Sequence, residues 1–234
     1  MSLDARRSEI AHNLAEVQAR IAAATFRAGR EVQPQLVVVT KTFPSTDIAI
    51  LAELGVRDIA ENRDQEARRK HEELAGLDMR WHMIGQVQRK KAASVLSWAD
   101  IIETVDRMEL ADSLNRAAVT LGREVDVLLQ VSLDEPFRDD RGGCHPAELE
   151  ALANHAKSLD ALNVRGVMAI APYPGDPGEA FERLSTMVDA LRSTVPDLDI
   201  VSAGMSGDLE AAIAHGATQV RIGGSILGAR PLVQ

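Results

Sequence analysis

Lys41 stands just past the aliphatic run 36–39, which is too short for a helix and rich in β-branched residues, as a buried strand is. An ammonium delivered to the end of such a strand is poorly solvated. Desolvation disfavours the charged form and lowers the pKa, and the amine becomes nucleophilic enough to form a Schiff base with a carbonyl. A lysine at a strand end can equally carry its head out to water along its apolar stem.

At the other end of the chain, Ser202, Gly204, Met205 and Ser206 follow one strand, with Ser206 as the expected N-cap and Asp208 in the first turn of the next helix. Arg221, Ile222, Gly223, Gly224 and Ser225 end the last strand and lead into a short apolar turn at Ile226 and Leu227. Glycines before a helix start let backbone N–H groups approach an anion, and the helix dipole favours negative charge there. The pair of loops therefore reads as a phosphate pocket, against the simpler reading that Gly223 and Gly224 only turn the chain.

Asn62 and His82 close two further strands. Each can face the same opening, though Asn62 can instead cap its helix and His82, beside Trp81, can be a hydrogen-bonded packing residue. Glu103 and Asp106 have no evident partner, Arg89, Lys90 and Lys91 read as a solvated helix start, and Cys144 as incidental. No His, Cys or acid spacing matches a metal site.

The elements that must position these residues alternate. A leading helix within 1–30 is marked by Ile10, Leu14, Val17 and Ile21 on one face and Gly29 at its end. Strands are expected at 36–39, 56–60, 81–84, 101–105, 125–133, 164–170, 198–201 and 219–222. Helical patterns follow at 44–54, 62–74, 88–96, 107–121, 147–159, 179–195 and 209–214. About eight β/α units predict an α/β fold, a single (β/α)8 TIM-type barrel domain over 1–234 with an extra N-terminal helix; an open doubly wound sheet is the alternative. The loops 134–145 and 171–178, the latter with Pro172, Pro174 and Pro177, follow strands and belong to the face where such barrels build their sites.

Composition narrows the rest. A chain of 234 residues supports a full core without cross-links. One cysteine excludes an internal disulfide framework and suits the cytoplasm. With 26 basic and 35 acidic side chains, a net charge of −9 argues against nucleic-acid or membrane partners, and no stretch of about 18 apolar residues is present.

The motifs Val39-Thr40-Lys41-Thr42, Glu61-Asn62, Trp81-His82 with Ile84-Gly85, Gln88 and Lys91, Gly204-Met205-Ser206 with Asp208 to Ile213, Val220 to Gly223, and Gly228-Ala229-Arg230 run collinearly along nearly the whole chain. With them the sequence resembles the YggS/PROSC family of pyridoxal phosphate (PLP) homeostasis proteins, which are similar to the barrel domain of alanine racemases. The resemblance implies PLP as cofactor, bound through a Schiff base to Lys41. It also implies Asn62 near the ring, Arg221 at the pyridine nitrogen, and Ser206, Gly223 and position 224 on the phosphate. His82, Ser202 and Met205 complete the expected cofactor-facing set, and no metal is expected. Position 224 is usually Thr in that family and is Gly here, and the residue after Asn62 is Arg63 in place of Tyr.

A PLP enzyme that needs a strong electron sink places a carboxylate on the pyridine nitrogen. A permanently cationic arginine favours the unprotonated nitrogen and a weaker sink. The expectation is therefore a carrier that holds PLP and passes it to PLP-dependent apoenzymes, and a monomer, since no long exposed apolar stripe is evident and the resemblance implies no obligate dimer site. A PLP-dependent amino-acid racemase, needing a second base such as His82, is the alternative. A lysine-dependent aldolase acting on a sugar phosphate is the third reading. The single tyrosine, Tyr173, lies in a Pro-rich loop and weighs against racemase chemistry.

Overall fold

A computed structural model describes residues 2–138, 140–196 and 198–229. The chain opens with α1 (Leu3–Arg27), capped by Ser2 Oγ, which accepts from the Ala5 N–H at 3.2 Å. Ile10, Leu14, Val17 and Ile21 form its buried face, as their spacing predicts, and Gly29 turns the chain at φ 65°.

Eight parallel strands then close on themselves, β1 (Gln35–Val39), β2 (Asp58–Glu61), β3 (Arg80–Met83), β4 (Ile101–Val105), β5 (Val125–Gln130), β6 (Leu162–Met168), β7 (Ile200–Ser202) and β8 (Gln219–Ile222). Pairing of β1 with both β2 and β8 completes the barrel and removes the open-sheet alternative. The outer helices are α2 (Ser45–Glu53), α3 (Asp64–Glu73), α4 (Ala92–Leu96), α5 (Met108–Leu121), α6 (Leu149–Lys157), α7 (Pro177–Arg192) and α8 (Leu209–Ala214), and the one-turn α9 (Gly224–Leu227) closes the series.

Two differences from the sequence reading have local causes. The fifth strand stops at Gln130 rather than 133, because the following loop folds back on it. Cys144 N donates to Gln130 O at 2.8 Å and Ser132 N to Cys144 O at 3.0 Å. The apolar pair at 226–227 is the end of a helical turn, whose carbonyls at Ile226 and Leu227 accept from Asn13 Nδ2 at 3.0 Å and Arg6 Nη2 at 2.9 Å of α1. The leading helix thus braces the last β/α unit.

The apolar core lies mainly between the barrel wall and the helices. Trp81, on the outward face of β3, meets Trp98 edge-on at 6.3 Å. Inside the barrel the apolar filling is small, centred on Ile101, Leu128 and Met168, and the remaining interior is polar. No helix among the described residues is long and apolar enough to cross a membrane.

Candidate functional site

The C-terminal ends of β1, β2, β7 and β8 carry most of the residues singled out by the sequence. In register, Val39 pairs with Ala60 and Val38 with Ile222, so Lys41, Asn62 and Gly223 leave adjoining strands at one mouth. Gly223 lies so close to β1 that an added Cβ would stand 3.0 Å from Val39 O. A side chain there would crowd β1, and glycine lets the two strand ends come close. Gly224 has open space where a side chain would be, and its N–H belongs to the first turn of α9, which has no intrahelical acceptors for its leading donors.

The loop after β7 lies beside it. Arg221 N donates to Gly204 O at 2.9 Å and Ala203 N to Gln219 O at 3.0 Å, which ties the two glycine-bearing loops together. Ser206 is not the N-cap expected of it. Asp208 occupies that position, and its Oδ1 takes the Met205 N–H at 2.5 Å, so the loop closes on the acid instead of the hydroxyl. Ser206 O accepts from Arg20 Nη2 at 3.2 Å, and Arg20 also pairs with Glu210, so α1 braces this loop as well. Met205 is exposed at the rim.

Below the mouth the barrel encloses a continuous polar chain. Arg221 Nη1 donates to Ser202 Oγ at 2.6 Å and Nη2 to Ala169 O at 3.0 Å. Ser202 Oγ donates to Glu103 Oε2 at 2.6 Å, and Gln219 Nε2 reaches both Glu103 Oε1 and Ser202 Oγ at 2.8 Å. His82 Nδ1 meets Glu103 Oε1 at 2.6 Å and Nε2 meets Asp58 Oδ1 at 3.1 Å. Arg80 then pairs with Asp58 at 2.6 Å at the far end.

The electrostatics follow from these partners. Burial pushes the Glu103 carboxyl up, yet the His82 hydrogen bond and the charges of His82 and Arg221 hold it below its ordinary value. Burial pulls His82 down, and the Asp58 and Glu103 carboxylates more than reverse that, so its pKa is raised. Burial lowers the Arg221 pKa, against the pull of Glu103 and Asp208.

His82, expected among the cofactor-facing residues, therefore lies deeper than Lys41 with both ring nitrogens engaged. It supports the carboxylate that faces Arg221. Glu103, for which the sequence offered no partner, is the hub of this chain. The missed signal was a carboxylate in the middle of the apolar run 101–105, which a buried strand does not tolerate without partners.

A second ionic group was also missed. Lys70, 1% exposed, reads in the sequence as one charge of a polar helix, but its Nζ is 2.8 Å from Glu61 Oε1, 2.7 Å from Glu66 Oε1 and 2.9 Å from Thr40 O. Its signal was the Glu66/Lys70 spacing of four on one helix face.

Among the remaining expectations, Cys144 is buried with its thiol pushed up to about 12 by burial and by the nearby charges of Asp106 and Glu148, which agrees with an incidental role. Lys91 stands 3.7 Å from Asp64. Of the motif Gly228-Ala229-Arg230, Arg230 lies outside the described residues.

The donor set matches an aldehyde-bearing aromatic phosphate. It combines a primary amine at the mouth, glycine loops with free approach, and a buried guanidinium below them. The family model for the alanine racemase N-terminal domain matches residues 6–231. The pyridoxal phosphate homeostasis protein of Mycobacterium tuberculosis is 40% identical, with 97% of this chain and 95% of the relative covered. That of Escherichia coli is 37% identical over 95% of this chain and 97% of its own. Among solved structures, the PipY protein of Synechococcus elongatus with PLP bound superposes with a TM-score of 0.81 at 33% identity, covering 94% of this chain and all of its own (100%). An alanine racemase from Clostridium difficile shares the fold, with a TM-score of 0.73 at 15% identity, and this chain covers 57% of it. The chain belongs to the pyridoxal phosphate homeostasis protein family, on the barrel of the alanine racemase N-terminal domain.

Proposed function

We propose that this protein binds pyridoxal phosphate at the mouth formed by β1, β2, β7 and β8 and holds it covalently through Lys41. Lys41 would hold the cofactor through its aldehyde carbon, the amine nitrogen replacing the carbonyl oxygen, which would leave as water. Bound PLP would supply an electron-withdrawing ring for the carbon attached to that nitrogen. Ser206, Gly223 and Gly224 hold the phosphate, chiefly through backbone N–H groups, and Met205 rims the loop. Asn62 lies beside the ring. Arg221, fixed by Ser202, faces the pyridine nitrogen. The observation that carries this reading is the placement of Lys41 and the two glycine loops at adjoining strand ends above one buried arginine, in a chain 33% identical to a protein solved with PLP bound.

The protein serves PLP homeostasis in the cytoplasm as a monomer, holding the cofactor and releasing it to apoenzymes, with no strong catalysis of its own. Two observations support carrier over racemase. His82, the candidate second base, has both ring nitrogens bound to carboxylates, and Tyr173 is 89% exposed in the loop after β6. The most exposed large apolar side chains among the described residues, Leu3 and Phe26 on α1, Val32 after it, Val119 on α5 and Tyr173 after β6, are spread over the surface, which supports a monomer.

The test is the absorption spectrum of the purified protein. A visible imine band, present as isolated or after PLP addition and absent in Lys41→Ala, is expected. A colourless protein after PLP addition would refute the reading. Solvent deuterium incorporation at Cα of added amino acids would instead favour the racemase.

A further inference from the structure

Lys41 sits between two backbone groups that an element outside the barrel holds. On its N-terminal side, Thr40 O accepts from Lys70 Nζ at 2.9 Å, and Thr40 Oγ1 donates to Glu61 Oε1 at 2.7 Å. On its C-terminal side, Thr42 N donates to Glu66 Oε1 at 2.6 Å. The same Glu66 oxygen receives Lys70 Nζ at 2.7 Å, so one acidic atom of α3 joins both grips.

Thr42 adopts φ 70°, and among the described residues it is the non-glycine with positive φ. A β-branched residue is disfavoured there and persists only where its surroundings over-determine it. Its own hydroxyl does not do so, because Thr42 Oγ1 is buried without a hydrogen-bond partner. Two interactions do: the turn bond from Phe43 N to Thr40 O at 3.1 Å, which closes the chain around Lys41 and Thr42, and the Glu66 carboxylate on the Thr42 N–H, which fixes that turn to α3.

Stability alone does not call for this cluster. Well-packed apolar residues in place of a buried ion pair are commonly as stable or more so. What charged side chains provide here is a second donor for the Thr40 carbonyl, beside Phe43 N, and an acceptor for the Thr42 N–H, on either side of Lys41. With all three of its donors used, Lys70 is itself withheld from carbonyl chemistry.

We propose that Glu66, backed by Lys70, is a positioning residue for Lys41, locking the backbone on both sides of it so that the amine is presented to the cofactor carbonyl in one orientation. This rests on the PLP assignment above. Glu66 acts through Lys41 and does not touch the cofactor.

The experiment is stopped-flow absorbance of the full chain mixed with PLP, followed by borohydride reduction and peptide mapping of the labelled lysine. Glu66→Ala slows imine formation and weakens PLP binding, each about tenfold, the scale of losing one hydrogen bond to a charged group. Glu66→Gln retains an oxygen for both donors and stays within about twofold of the unaltered protein. Thr42→Gly added to Glu66→Ala restores part of the rate, because glycine adopts positive φ without help. A merely structural role would not produce that restoration.

Glu66 is 19% exposed, and its loss leaves the Lys70–Glu61 pair intact, so Glu66→Ala should fold. If it does not, Glu66→Leu, of similar volume, carries the same expectation. Labelling at Lys41 with unaltered rate and affinity in Glu66→Ala would overturn the inference alone. No labelling at Lys41 in the unaltered protein would overturn the PLP assignment and this inference with it.

Discussion

The barrel carries one buried ionic group inside its wall and another outside it, and they are assembled differently. The inner chain takes Asp58, His82, Glu103, Ser202, Gln219 and Arg221 from five strands, and its bonds join residues 99 and 116 positions apart in sequence. The outer cluster of Glu61, Glu66 and Lys70 belongs to one strand-helix unit, with separations of 9 and 4. The inner chain exists only when the barrel is closed. The outer cluster can form as soon as α3 docks on β2. The difference shows which buried charges report on global closure and which on a local grip around Lys41.

The largest expected effect breaks the inner group at its hub. Glu103→Leu leaves His82, Ser202 and Gln219 short of an acceptor and the buried Arg221 without its counter-charge, and should cost about 3–5 kcal/mol in urea unfolding. No single second substitution should repair it, since the stranded groups lie on three strands. Lys70→Met should cost about 3 kcal/mol by leaving Glu61 buried without its cation. There the repair is simple, and Glu61→Leu with Lys70→Met should recover most of the loss. If the double variant stays as unstable as the single one, the contrast between the groups fails.

A smaller effect is the pH dependence of the inner group. His82 has a raised pKa in the folded state, so the stability it contributes is fully present below its unfolded value near about 6.5 and is lost as pH rises through the folded value. Unfolding free energy measured across that range should fall with pH in the unaltered protein and lose this slope in His82→Asn. Asp58, held at about 2, contributes above its ordinary 3.8 and loses that contribution only as pH falls toward about 2.

The smallest change is at the open loop that belongs to neither group. Gly224→Thr meets nothing within 4 Å of its Cβ. It should alter stability by no more than about 0.5 kcal/mol, and titration with PLP reads whether the added hydroxyl tightens binding.

Much of this architecture is legible along the chain. The strands at 101–105 and 219–222 and the helix at 209–214 have the bounds their apolar pattern predicts, because buried parallel strands and amphipathic helices are written in short-range periodicity. Lys41 and the glycine loops are legible for the same reason, since their position relative to a strand end is local. Ser206 reads as a cap from its place ahead of the helix, but the helix starts only at Leu209, because Asp208 closes the preceding turn back onto the Met205 N–H, a bond that local spacing does not single out.

Partnership was decided elsewhere. The pleat sends Gln219 and Arg221 to the same face, yet only closure of β8 onto β1 sets them opposite strands β3 and β4. Glu103 has no partner nearby in the chain, His82 reads as either a packing residue or a mouth residue, and Lys70 is one charge of a polar helix, because the energy that makes a buried charge tolerable comes from partners brought in by register and by helix docking. The sequence by itself determined the order of elements and the chemistry available at their ends. The tertiary structure decided which charges meet, because burial makes each of them depend on a partner that chain proximity does not name.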